Sequence, residues 1–157
     1  MRGPGRFGRR GVRELALFPK SPCMAAVRPL SILVIDDEES IRTLLGLILE
    51  RHAHKVATAA SGRTALQLLA TEAFELMITD IIMPDMDGIE IITAAKKLRP
   101  ATRIMAISGG GAVMASHDCL KMAKMIGAHA VLPKPFNEAQ LVETIALAMP
   151  AQAPVAG

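Results

Sequence analysis

The 157-residue sequence has no tryptophan and no tyrosine, and its four phenylalanines bring the aromatic content to only 3%. Phe7 and Phe18 lie ahead of the regular part of the chain, so a core has to be built from Leu, Ile, Val, Met and Ala. Proteins that grip single-stranded nucleic acid by stacking bases on aromatic rings need material that is almost absent here. Cysteine is scarce too: Cys23 and Cys119 form no ligand-like or disulfide spacing and read as free thiols of a reducing compartment. No long apolar run occurs; stretches such as Leu44 to Leu49 fall far short of the roughly 18 residues needed to cross a bilayer. No membrane insertion is expected, and a cytoplasmic location follows. What remains is ordinary globular usage, 51% hydrophobic and 21% charged, in a length that suits one compact domain.

The net charge of +3 is unevenly distributed. Residues 1–23 hold six of the 18 basic groups and one of the 15 acidic ones, a net of +5, which leaves −2 for the remainder. This Gly-, Arg- and Pro-rich start has no sustained period of 2 or 3.6, so residues 1–28 are expected to be a flexible basic extension. Met24, where the regular sequence begins, is a candidate start. Leu15 to Phe18 is too short for the apolar region of a secretory signal. At the other end, residues 150–157 are too few for an output domain, and the folded unit is expected over 29–149. With the basic character confined to the extension, no direct nucleic-acid contact is expected of the folded part.

From Leu30 onward, short aliphatic runs alternate with segments of helical period. Leu30 to Ile35, His54 to Ala59, Phe74 to Thr79, Arg103 to Ile107 and His129 to Leu132 read as strands. Between and after them come helical stripes: Ile41, Leu44, Leu45, Ile48 and Leu49; Ala65, Leu66, Leu68 and Leu69; Ile89, Ile92, Ala95 and Leu98; Leu120, Ala123, Met125 and Ile126. A last helix runs to Met149, with Asn137 and Gln140 spaced as a cap. Five strands alternating with five helices predict an α/β fold with an open parallel sheet covered on both faces. Ligands of such sheets bind at the C-terminal ends of the strands, where strand order reverses.

Those ends carry the chemistry-bearing residues. Strand one runs into Asp36, Asp37, Glu38 and Glu39, strand three ends at Asp80, strand four at Ser108, and Lys134 follows strand five. Carboxylates gathered from neighbouring strands repel one another unless a cation joins them, and an all-oxygen set suits Mg2+ better than zinc. Glu38 and Glu39 read as acids at the start of the next helix. The other punctuation is read as structure: Pro84 stops a strand, Gly88 supplies positive φ, the ten Met fill the core, Lys96, Lys97 and Arg99 form a wet helix face, and the four His lie on solvated elements.

Leu33-Val34-Ile35-Asp36-Asp37-Glu38, then Thr79-Asp80-Ile81-Ile82-Met83-Pro84-Asp85-Met86-Asp87-Gly88, then Ile107-Ser108 and Lys134-Pro135-Phe136 resemble the receiver domain of bacterial two-component response regulators, over about Pro29 to Met149. The resemblance implies a flavodoxin-like, doubly wound (βα)5 fold with strand order 2-1-3-4-5. It implies phosphoryl transfer from a sensor histidine kinase or histidine phosphotransfer protein to Asp80, with Lys134 and Ser108 as catalytic partners. By the same resemblance Mg2+ would be held by Asp36, Asp37, Asp80 and the backbone carbonyl of Ile82, and the Lys134-Pro135 bond would be cis. The output would be binding of a downstream protein by a stand-alone receiver that catalyses only its own phosphorylation and dephosphorylation.

Two features depart from the family pattern. Ser108-Gly109-Gly110-Gly111 opens a segment a few residues longer than usual before Lys134, and Val131 stands where the family usually has Tyr or Phe. The rival reading is an Mg2+-dependent phosphohydrolase of haloacid-dehalogenase-like type with Asp80 as nucleophile. Such enzymes carry an acid two residues further on, and here that position is Ile82.

Overall fold

A computed structural model describes residues 28–109 and 113–150, apart from the side chains of 113–117, 119 and 120. The expectations for the basic extension, for Gly110 and Gly111, for both cysteines and for the last residues lie outside the described part. The strands are β1 (Ser31–Ile35), β2 (Lys55–Ala59), β3 (Leu76–Asp80), β4 (Arg103–Ser108) and β5 (Ala130–Pro133). The helices are α1 (Glu39–Arg51), α2 (Gly62–Thr71), α3 (Gly88–Leu98), α4 (Val113–Ile126) and α5 (Glu138–Ala148).

All four pairings are parallel and the order is β2-β1-β3-β4-β5, as the resemblance implied. Side chains of a strand alternate between faces, and the core divides accordingly. Leu33, Ile35, Met77, Ile104 and Ala106 face α2, α3 and α4 through Ala65, Leu69, Ile91, Ile92, Ala95 and Ala123. Ile32, Val34, Leu76, Ile78, Met105 and Ile107 face α1 and α5 through Leu45, Leu49, Leu141 and Ile145. Every residue of β3 is buried, which is why its sequence is a continuous apolar run ended by Thr79 and Asp80. Edge strand β2 is half exposed and correspondingly weak in pattern.

Local chemistry sets the helix starts. Ser61 caps α2 by accepting from Thr64 N–H, and Asp87 caps α3 by accepting from Ile89 N–H. Asn137 and Gln140 form the reciprocal capping box expected for α5.

Several expectations need correction. His54 is buried rather than solvated, and its ring is a hydrogen-bond acceptor inside the fold. Arg99 does not lie on a wet face: its Nε donates to Leu69 O at 2.7 Å and satisfies the end of α2. Met77 and Met105 are core residues, but Met122 and Met125 are exposed, Met125 by 85%, because α4 turns inward the Ala123 and Ile126 of the expected stripe and not its methionine. Gly88 is not among the residues with positive φ. It is needed because a Cβ there would lie 2.5 Å from the Asp80 carbonyl oxygen and the Ile81 Cα.

A groove of about 550 Å3 lies at the edge of the sheet where the strands begin, lined among others by Arg28, Phe74, Leu98, Arg103, Met149 and Pro150. No helix among the described residues is long and apolar enough to cross a membrane.

Candidate functional site

The order in which strands are added to the sheet reverses between β1 and β3, which neighbour each other in parallel although β2 lies between them in sequence. The two strands therefore end side by side with acids just past or at their last residues. Asp36, Asp37 and Asp80 each offer a carboxylate oxygen, and these oxygens lie within 4.8 Å of one another. Asp36 and Asp80 are buried, and Asp37 is exposed at the rim.

Backbone and side-chain bonds hold each acid in place. Asp36 Oδ1 accepts from Glu38 N–H at 2.9 Å, which turns the chain out of β1 into α1. Arg42, one turn into α1, donates to the carbonyl oxygens of Asp36 at 2.7 Å and Asp37 at 3.0 Å. Asp80 Oδ1 accepts from Ile82 N–H at 3.0 Å, so the Ile82 backbone meets the same carboxyl whose metal ion its carbonyl was expected to share. The Ile82 side chain is 48% exposed.

Lys134 arrives from the end of β5. Its N–H donates to Ser108 O at 2.9 Å, and the following bond to Pro135 is cis. The ammonium reaches Asp80 Oδ2 at 2.9 Å and Asp36 Oδ2 at 3.3 Å. Burial pushes this ammonium down, but the two carboxylates outweigh it and hold the group above the ordinary lysine value. The lysine is thus a fixed positive charge at every pH near neutrality.

Ser108 closes the site. It is fully buried, and its Oγ has no hydrogen-bond partner among the described residues. An unsatisfied buried hydroxyl costs free energy, and one at the end of β4, the strand next to Asp80, can be satisfied by an anion bound there. Gly109 makes the packing possible: a Cβ at that position would overlap the Cβ of Lys134.

The structure brings Asp36, Asp37, Asp80 and Lys134 together, with Ser108 on the adjoining strand end. Arg42, Gly88 and Gly109 were missed as supports of the site. Arg42 had no sequence signal beyond a base one turn into a helix that follows acids. Val131 is half-buried and packs against the core on the α3 and α4 side.

The sequence matches the family model described as response regulator receiver domain over residues 32–146. The chain belongs to that family: it is a receiver of two-component response regulators, a module of phosphorylation-based signalling rather than a metabolic enzyme. It is 37% identical over 116 residues to the response regulator receiver protein CpdR of Brucella abortus, covering 73% of this chain and 92% of that one. It is 36% identical over 126 residues to the DNA-binding transcriptional regulator NtrC of Azospirillum brasilense, where the match takes in 80% of this chain but only 25% of the relative. The chain thus spans about a quarter of the length of relatives of that kind. Among solved structures, a CheY-like receiver domain protein from Methanospirillum hungatei superposes with a TM-score of 0.68 at 31% identity, covering 75% of this chain and 91% of that one. Chemotaxis protein CheY4 of Vibrio cholerae gives 0.68 at 29% identity, covering 77% and 99%. The haloacid-dehalogenase-like alternative finds no support, in the family match or in the aliphatic side chain of Ile82.

Proposed function

We propose that Asp80 is the phosphoacceptor and takes its phosphoryl group from the phosphohistidine of a sensor histidine kinase or a histidine phosphotransfer protein. The observation that carries this reading is the convergence on one buried carboxylate of a lysine ammonium and two further acids. A carboxylate oxygen of Asp80 forms the new P–O bond while the P–N bond to the donor imidazole breaks, and the imidazole leaves with the electron pair and is then protonated. Two anions must approach each other in this step, so catalysis is chiefly charge compensation and positioning. Lys134 supplies one fixed charge, the Ser108 hydroxyl a hydrogen-bond donor, and Ile82 N–H a bond that aims the carboxyl.

The donor set of Asp36, Asp37 and Asp80 is all oxygen and carries three negative charges, which fits a hard divalent cation such as Mg2+, with the Ile82 carbonyl as a further ligand. When bound, Mg2+ would offset the repulsion between carboxylate and phosphoryl oxygens. In this reading the folded receiver spans 29–149, with the basic segment 1–28 and the residues 150–157 outside it, and the protein acts in the cytoplasm. Its output is phosphorylation-dependent binding of a downstream protein or relay of the phosphoryl group, without direct contact to nucleic acid. Its only catalysis is its own phosphorylation and dephosphorylation.

Mass spectrometry after incubation with a small phosphodonor and Mg2+ tests the assignment. One acyl phosphate is expected, absent in Asp80→Asn and in EDTA. Labelling at Asp85 or Asp87 in the unmodified protein, or equal labelling in EDTA, contradicts it.

A further inference from the structure

The end of the sheet opposite the acids carries a symmetrical arrangement of histidines. β2 and β5 are the two edge strands, and each is immediately preceded by a histidine, His54 before Lys55 and His129 before Ala130. His54 Nδ1 accepts from Leu30 N–H at 3.1 Å, and His129 Nδ1 accepts from Ile104 N–H at 2.9 Å. The carbonyls of the same two residues are bound from the same edge strands, Leu30 O by Lys55 N–H at 2.8 Å and Ile104 O by His129 N–H at 2.7 Å. Leu30 and Ile104 are almost fully buried, so without the imidazoles their N–H groups would be orphans in an apolar setting. Ahead of its ladder, the start of each edge strand is therefore clasped to its neighbour by one backbone bond and one ring bond.

We infer that His54 and His129 form a matched pair of acid-labile clasps that fasten the starts of both edge strands while neutral and release those starts together when protonated. A ring nitrogen accepts a hydrogen bond only through its lone pair, so both imidazoles must be neutral with the proton on Nε2. Protonation places N–H against N–H and converts each bond into a repulsion. Burial lowers the proton affinity of both rings below the ordinary histidine value, and the charged groups facing them act in the same direction: His52 for His54, Arg103 and Lys96 for His129. A histidine depressed in the folded state contributes stability that is complete above its unfolded value near 6.5 and is lost as pH falls through the folded value. The clasps lie at the end of the sheet opposite the acidic pocket.

Nuclear magnetic resonance of the ring-15N-labelled protein tests the proposal, combined with amide exchange from pH 7.5 to 5.0. Both rings should be Nε2–H tautomers. Protection factors of the Leu30 and Ile104 amides should fall together by about tenfold for each pH unit from about 6.5 down to the folded-state value and level off below it, while Met77 and Ile78 in β3 stay protected. His54→Asn and His129→Asn put an amide oxygen near the Nδ1 position without a titrating group, and each should retain protection of its partner amide at pH 5.0. Unchanged protection of Leu30 and Ile104 at pH 5.0, a proton on Nδ1 of either ring, or release at one edge alone would overturn it; the wild-type titration decides even where a variant fails to fold.

Discussion

On the proposed reading, Ser108 is the residue at which stability and function oppose each other. Its buried hydroxyl has no partner among the described residues, which is a cost in the resting protein. Ser108→Ala should therefore leave the melting temperature unchanged or raised by the equivalent of about 1 kcal/mol, while slowing phosphorylation of Asp80 by up to about 10²-fold through loss of a preorganised donor. Paired thermal melts and phosphorylation kinetics check this; a lower melting temperature with an unchanged rate would contradict it. Ala53 is a different case. It links α1 to β2 with φ of 66°, the left-handed region that costs a residue with a Cβ. Ala53→Gly should stabilise the protein by up to about 1 kcal/mol in chemical denaturation. Asp36, Asp37, Asp80, Ser108 and Lys134 were legible in the sequence because chemistry-bearing residue types recur at successive strand ends. Gly109 and Arg42 were not, because one acts by lacking an atom next to Lys134 and the other by reaching two backbone carbonyls, and neither relation exists until the chain is folded.

At the scale of elements, boundaries followed local chemistry where side chains spell it out. The Asn137 and Gln140 pair marks the start of α5 in both sequence and structure, since both reciprocal bonds form within four residues. Asn137→Ala should cost about 1 kcal/mol in urea denaturation, because it strands a helix N–H that nothing else caps. Boundaries were misplaced where burial and hydrogen bonding part company. Phe74 looked like the start of β3 because it is apolar and is indeed buried, yet the strand begins at Leu76. Its carbonyl accepts from the Thr102 hydroxyl at 2.8 Å and not from a neighbouring strand. The stripe of α4 was right in phase, with Ala123 and Ile126 against the core, but Met125 was wrongly counted in it for a related reason. Methionine is apolar enough to suggest a core position, but the small Ala123 is what fits against the sheet, and Met122 and Met125 are left in solvent.

For the whole molecule, alternation of short apolar runs with helical stripes was enough to give the layers and the parallel sheet. Strand order was not contained in that alternation. Which strand pairs with which is a long-range matter, and here it followed only from the motif resemblance. The order in turn fixes the electrostatics, because it sets β1 beside β3 and so gathers three carboxylates, two of them paired with Lys134. A divalent cation should relieve the remaining repulsion and bind the folded state alone. Millimolar Mg2+ is expected to raise the melting temperature of the wild-type protein, and Asp37→Ala should abolish most of that increment while changing the metal-free melt little, since Asp37 is exposed. An equal Mg2+ increment in the variant would remove Asp37 from the metal site.

The groove at the far edge of the sheet has an architectural consequence. Arg28 and Pro150, the first and last residues of the described fold, both line it. The two ends of the described fold meet at one place, on the side turned away from Asp80. Such a unit behaves as a cassette: cargo spliced on at either junction hangs clear of the pocket, and a short linker across the groove would let the ring of chain be cut open at a surface loop elsewhere without disturbing the acids.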